Sequence, residues 1–133
     1  YDYDFMLLGI VCQHKDYYLC SAINTGLQIE LKKIDNLVLM LGKKKDKKES
    51  VEFSLYEYED EDGKWYYIIG NRSATSRFLI PEQNKIDFFL MLKGQFNDTE
   101  VEEIRIKLKQ IQVVLGAYKI MPESLKSKNN LLF

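Results

Sequence analysis

Two cysteines, one histidine and two prolines are all that this 133-residue sequence holds of those residue types. With Cys12 and Cys20 as its only thiols the chain has no disulfide framework, which points to a reducing compartment and a cytoplasmic location. A single histidine, His14, limits any Ser-His-Asp or Cys-His apparatus to that one residue, and no nucleophile is placed beside it. The seven glycines are scattered singly, so no Gly-rich phosphate loop is present. No apolar run approaches the roughly 18 residues that a membrane-spanning helix needs. The net charge of −1 removes any global field that would draw the protein to nucleic acid or to an anionic membrane.

What the chain does have is apolar supply. A hydrophobic fraction of 46% is enough for a folded core and argues for one domain over residues 1–133. Of the nine tyrosines, Tyr56, Tyr58, Tyr66 and Tyr67 gather with the lone tryptophan in the middle of the chain, which favours strands there.

Phe5 to Val11 is a continuous apolar run and predicts a strand buried on both faces. Leu19, Cys20, Ile23 and Leu27 fall on one side of a helix over about residues 15–25, with Gly26 as its left-handed stop. Leu37 to Leu41 is apolar at every position and predicts a second strand covered on both faces. Val51, Phe53 and Leu55 alternate with polar residues, and Asp62-Gly63 leads into Trp65 to Ile69, so residues 51–69 predict a hairpin. Arg77 to Ile80 predicts a short strand closed by Pro81. Residues 86–92 predict a strand apolar on both faces. Thr99 and Glu102 have capping-box spacing ahead of Val101, Ile104, Leu108, Ile111 and Leu115, an amphipathic helix. Leu115 to Met121 predicts the last strand. The tail, residues 123–133, ends on Leu131-Leu132-Phe133, too apolar to stay in water, and is expected to dock on the domain or on a neighbouring copy. Helices at either end of a strand-rich middle predict an α+β fold: a mainly antiparallel sheet with two helices on one face, with a ferredoxin-like βαββαβ core and an added hairpin as its specific form.

The segment Ile80-Pro81-Glu82-Gln83-Asn84-Lys85-Ile86-Asp87-Phe88 resembles the motif after which the IPExxxVDY family is named, with Ile86 and Phe88 where Val and Tyr are usual. Asp2-Tyr3-Asp4-Phe5, Phe53-Ser54-Leu55-Tyr56, Ala117-Tyr118 and the ending from Leu125 to Phe133 are similar to the same family. The resemblance implies a small bacterial protein of the Bacteroidetes type with no assigned activity. It carries no catalytic residues onto this chain.

Candidate sites are few. Asp87 shares a strand face with Phe89 and Met91, which would desolvate its carboxylate and suit it to proton transfer. It and Glu82 would need a cationic neighbour, and Arg77, Arg72 and Lys126 are the candidates for a small enzyme or ligand site. The plainer reading makes Asp87 the start of a strand, accepting backbone hydrogen bonds, and Glu82 a solvated turn residue. Cys12, His14 and Cys20 lack both a fourth ligand and the usual spacing for zinc, so neither a metal nor another cofactor is implied. The lysines of the Lys43–Lys48 run suggest a weak nucleic-acid binder, but no Arg or aromatic interleaves with them. Asn71-Arg72-Ser73 and Asn97-Asp98-Thr99 match the glycosylation sequon by chance. Tyr56, Tyr58, Trp65, Tyr66 and Tyr67 mark the hairpin as an interaction surface, since one helix layer covers only one sheet face. The leading expectation is therefore a non-enzymatic interaction or structural module that binds a protein partner, or itself, through a sheet face or edge strand.

Overall fold

Phe5–Val11 forms β1 and lies inside the sheet, as its unbroken apolarity requires, paired with one strand on each side. The computed structural model describes residues 4–42 and 47–133. After β1 come α1 (Asp16–Leu27), β2 (Lys32–Leu41), β3 (Glu49–Glu59), β4 (Trp65–Gly70), β5 (Phe88–Lys93), α2 (Asp98–Lys109) and β6 (Gly116–Ile120). These six strands join one antiparallel sheet in the order β2-β3-β4-β5-β1-β6, so the fold is α+β. Strands β2 to β5 form a meander. The first strand is inserted between β5 and β6, which therefore run the same way and are joined across it by α2.

The hairpin forms as its pattern predicts. Leu55 faces Ile69, Glu59 faces Trp65, and the Asp60 carboxylate accepts from Asp62 N–H and Lys64 N–H at 2.9 Å each across the turn. Both helices pack on one face, where Leu19, Cys20 and Ile23 of α1 and Val101 and Leu108 of α2 meet Leu8, Ile10, Ile68, Leu90 and Leu92.

Several local expectations shift. The first helix does not stop at Gly26; it runs to Leu27, and Gln28 takes the left-handed conformation at φ 56°. Gly26 is instead a packing residue, because a Cβ there would stand 3.0 Å from the Ile111 side chain. The capping box of α2 sits two residues earlier than Thr99 and Glu102. Asn97 accepts from Glu100 N–H at 2.8 Å and the Glu100 carboxylate accepts from Asn97 N–H at 3.2 Å. Both residue pairs have the right spacing; the earlier one also places Asp98 and Glu100 in the first turn, at the positive end of the helix dipole. Leu115 lies beyond the helix end and is exposed. Arg77 to Ile80 is not a strand: it contributes one isolated bridge, Arg72 to Phe78, and then buries Leu79 and Ile80 completely.

The larger correction concerns coverage. Leu37–Leu41 is not covered on both sides but is the second half of the edge strand β2. Leu37, Leu39 and Leu41 are half-buried, whereas Val38 is 51% and Met40 58% exposed. An apolar pentapeptide fits either a central or an edge position, and only long-range pairing decides which. Conversely, the sheet face opposite the helices is not open. Leu79, Ile80 and Ile86 from the β4–β5 connection and Leu125 and Leu131 from the tail bury Leu7, Phe53, Leu55, Ile69, Phe89 and Met91.

Gly9 sits in close contact with Ile86 of this cover and Ile120 of β6. A Cβ there would come within 2.7 Å of Ile120 Cδ1 and 2.8 Å of Ile86 Cδ1. Replacing Gly9→Ala is expected to cost about 1–3 kcal/mol, read as a lower urea midpoint at unchanged slope.

Candidate functional site

The connection between β4 and β5 carries the motif, and one side chain holds it. Asn71 is 0% exposed; its amide donates to Gln83 O at 2.9 Å and Ile86 O at 2.8 Å, and its oxygen accepts from Ile80 N–H at 2.8 Å. Its backbone adds Asn71 N–H to Asp87 O at 2.9 Å and Leu79 N–H to Asn71 O at 2.8 Å. Both donors of the amide and one of the two acceptor sites on its oxygen are used, so each polar atom of the buried side chain has a partner. The sequence reading missed this role: Asn71 stood out only as part of a sequon, and a buried amide carries no periodic signal.

Asp87 precedes β5 and terminates β1. Its carboxylate accepts from Cys12 N–H at 2.8 Å, and its own N–H donates to Ile10 O at 2.9 Å. Glu82 clasps the tail: its carboxylate accepts from Ser127 N–H at 2.6 Å and Ser127 Oγ–H at 2.8 Å. Burial alone would push the Glu82 carboxyl up, but hydrogen bonds from its own N–H, from Ser127 and from Lys126 N–H outweigh that and hold it below the usual carboxylate range. Of the three cations proposed to join these carboxylates, Lys126 meets Glu82 through its backbone N–H, and the two arginines are engaged elsewhere. Arg77 pairs with Glu49, Arg72 stands 4.9 Å over the Phe78 ring, and the Lys126 residue is exposed. The structure therefore brings Glu82 to Ser127 and Asp87 to Cys12, and does not bring the two carboxylates together with Arg77. A groove of about 360 Å³ opens beside Leu41, Ser76, Arg77, Phe78, Pro81 and Asn130, with the Arg77 guanidinium engaged by Glu49.

The thiols are interior. Cys12 and Cys20 are free and buried; burial, reinforced by the nearby Asp16, pushes the Cys20 thiol up to about 12. His14 is exposed and stacks on Tyr18 at 4.7 Å. Among the described residues no three His, Cys, Asp or Glu side chains converge on a metal position. Lys43, Lys44 and Lys45 of the basic run lie outside the described residues; Lys47 and Lys48 are exposed.

The aromatic group does not make one exposed face. Tyr56, Tyr58 and Tyr66 turn to the helix side, where Tyr66 meets Phe96 edge-on at 5.5 Å and Tyr58 at 5.6 Å. Burial, with Asp16 alongside, pushes the Tyr56 hydroxyl up to about 12. Trp65 and Tyr67 lie on the opposite face, stacked at 5.9 Å, and Phe133 of the tail packs edge-on against Tyr67 at 5.7 Å. All five are buried or half-buried.

What remains open is the sheet's edge. The outer strand β6 is five residues long, and Arg105 Nη1 donates to its Ala117 carbonyl at 3.3 Å. The other edge, β2, is ten residues long and has two unlike halves. Its first half is guarded by Lys32, by a break in register between Ile34 and Leu37, and by Lys33, whose ammonium bonds Ile34 O and Asn36 Oδ1. Its second half, Leu37 to Leu41, carries no charge and exposes Val38 and Met40. Long, apolar, unguarded edges are association sites unless something covers them.

Two consequences of this geometry are measurable. Asn71→Ala strands the buried Ile80 N–H and the Ile86 carbonyl and leaves Gln83 O with only its bond from Ile86 N–H at 3.1 Å, and is expected to cost about 3 kcal/mol or more in urea unfolding. Because the folded Glu82 carboxyl lies below its ordinary value of 4.5, the clasp contributes stability above that pH and loses it as pH falls through the folded value. In an NMR titration the Ser127 amide resonance should move over this acidic window in the wild-type protein and stay still in Glu82→Gln.

Set beside known proteins, the chain matches no protein-family model and no curated protein.

Proposed function

We propose that this chain is a non-enzymatic interaction module, and that the second half of β2 is the element it presents to an extended strand of a protein partner. The observation that carries this reading is the uncharged edge from Leu37 to Leu41 with Val38 51% and Met40 58% exposed. Strand addition to such an edge draws affinity from main-chain hydrogen bonds and specificity from alternate side chains. The proposed interaction surface is thus the outer strand beside the hairpin and not its aromatic cluster. Cross-strand and tail packing already occupy Tyr56, Tyr58, Trp65, Tyr66 and Tyr67.

The enzymatic alternative has less support, since the Glu82 and Asp87 carboxylates bond the Ser127 and Cys12 backbones and Arg77 bonds Glu49. The nucleic-acid alternative rests on lysines alone, without the stacking groups that single strands require. A cytoplasmic site of action accords with two free, buried thiols. Membership of the IPExxxVDY family belongs to this proposal as well, on the strength of the residues from Ile80 to Phe88. No helix among the described residues is long and apolar enough to cross a membrane.

A photo-crosslinking amino acid placed at Met40 in the producing cell is expected to yield a discrete protein adduct. The same group at Ile106, exposed on α2, should yield none. Equal labelling from both positions, or none from Met40, rejects β2 as the binding element.

A further inference from the structure

We infer that the strand completing the β2 edge is β2 of a second copy of this chain, paired antiparallel about a two-fold axis through Leu39. The inference rests on the reading of β2 as the binding element and names its occupant. Antiparallel neighbours are related by local two-folds normal to the sheet, which keep like faces together. With the axis on Leu39, Leu37 of one copy opposes Leu41 of the other, Val38 opposes Met40, and Leu39 opposes itself. Every position in the overlap then sets an apolar side chain against another. Val38 and Met40, the two most exposed residues of the strand's apolar half, cover each other on the helix side. Leu37, Leu39 and Leu41, half-buried at the open margin of the second core, gain neighbours on the opposite side.

Other registers lose this match. An axis on Val38 sets Asp35 against Leu41, and one on Leu37 sets Lys33 against Leu41 and Asp35 against Leu39. The ends of the overlap also coincide only with the axis on Leu39. The register break before Leu37 closes one end of each apolar stretch, and Gly42, at φ 153°, closes the other. The two-fold brings the closed end of each copy against the opposite end of its partner. Pairing β2 with β6 would instead leave an open-ended array, and on β6 the Arg105 contact to Ala117 and the charge of Lys119 oppose it. So short an overlap is small for an interface, which sets a weak dimer, with a dissociation constant on the order of 10–100 μM.

Sedimentation velocity of the full chain from about 5 to 500 μM reads this constant directly. Wild type is expected to pass from monomer to dimer over that range. Val38→Lys/Met40→Lys and Val38→Glu/Met40→Glu each set like charges opposite one another and should remain monomeric throughout. An equimolar mixture of the two should dimerise within about tenfold of wild type, and Val38→Lys/Met40→Glu should recover a homodimer weakened by salt. These substitutions fall at exposed positions, and circular dichroism checks that each variant is folded. A wild-type dimer indifferent to all of them overturns the inference. A monomer at every concentration also overturns it; in that case a Met40 crosslink to a different protein leaves β2 standing as a binding element, and the absence of any Met40 crosslink removes that reading too.

Discussion

The buried, hydrogen-bonded amide of Asn71 is the contact on which the second half of this structure depends. Between β4 and β5 the chain leaves the sheet from Asn71 to Asp87 and must return in register beside β1 and β4. An excursion of that length has no regular ladder to satisfy its polar groups. Asn71 supplies the missing partners, tying Ile80, Gln83 and Ile86 to the end of β4, while Asp87 closes the same loop against Ile10 and Cys12. The cost of burying the amide is offset because both of its polar atoms are hydrogen-bonded.

That anchoring lets an irregular segment act as a structural layer. Leu79, Ile80 and Ile86 are held face-down on the sheet and complete, with Leu125 and Leu131, a second core to which neither α1 nor α2 contributes. Glu82 and Asn130 then couple the two covering segments, since Glu82 accepts from Ser127 and Asn130 donates to Leu79 O at 2.8 Å. The carboxylates of the motif thus serve architecture: one holds the tail, the other ends a strand. Coverage stops short of the sheet's margin, however, and β2 stays open on the side where neither helix reaches Val38 or Met40.

Legibility in the sequence followed the range of the forces involved. The hairpin over residues 51–69 was readable because alternation and turn chemistry act over a few residues, and the Asp60–Lys64 turn obeys them. The buried side of α1 was readable from helical period, and Leu19, Cys20 and Ile23 are buried. Boundaries were less so: two residue pairs fit the capping box, and Gly26 resembled a helix stop when its small size serves Ile111. Of the candidate residues, Asp87 accepts a backbone hydrogen bond at the start of β5, and Glu82 is exposed in its turn, where it also clasps Ser127. The aromatic cluster was legible as strand but not as surface, because whether a ring is exposed depends on segments distant in sequence, such as Phe133 against Tyr67.

By itself, then, the amino-acid order determined the elements: alternating and periodic apolar residues choose strand or helix through contacts within one element. The α+β class followed from their succession. What only the tertiary structure decided was position. Strand β1 lies between β5 and β6, the LVLML stretch lies on an edge, and a buried asparagine pins the motif opened on Ile80 and Pro81. Each of these depends on partners many residues away, whose pairing is selected by the packing of the whole sheet and leaves no local pattern in the chain.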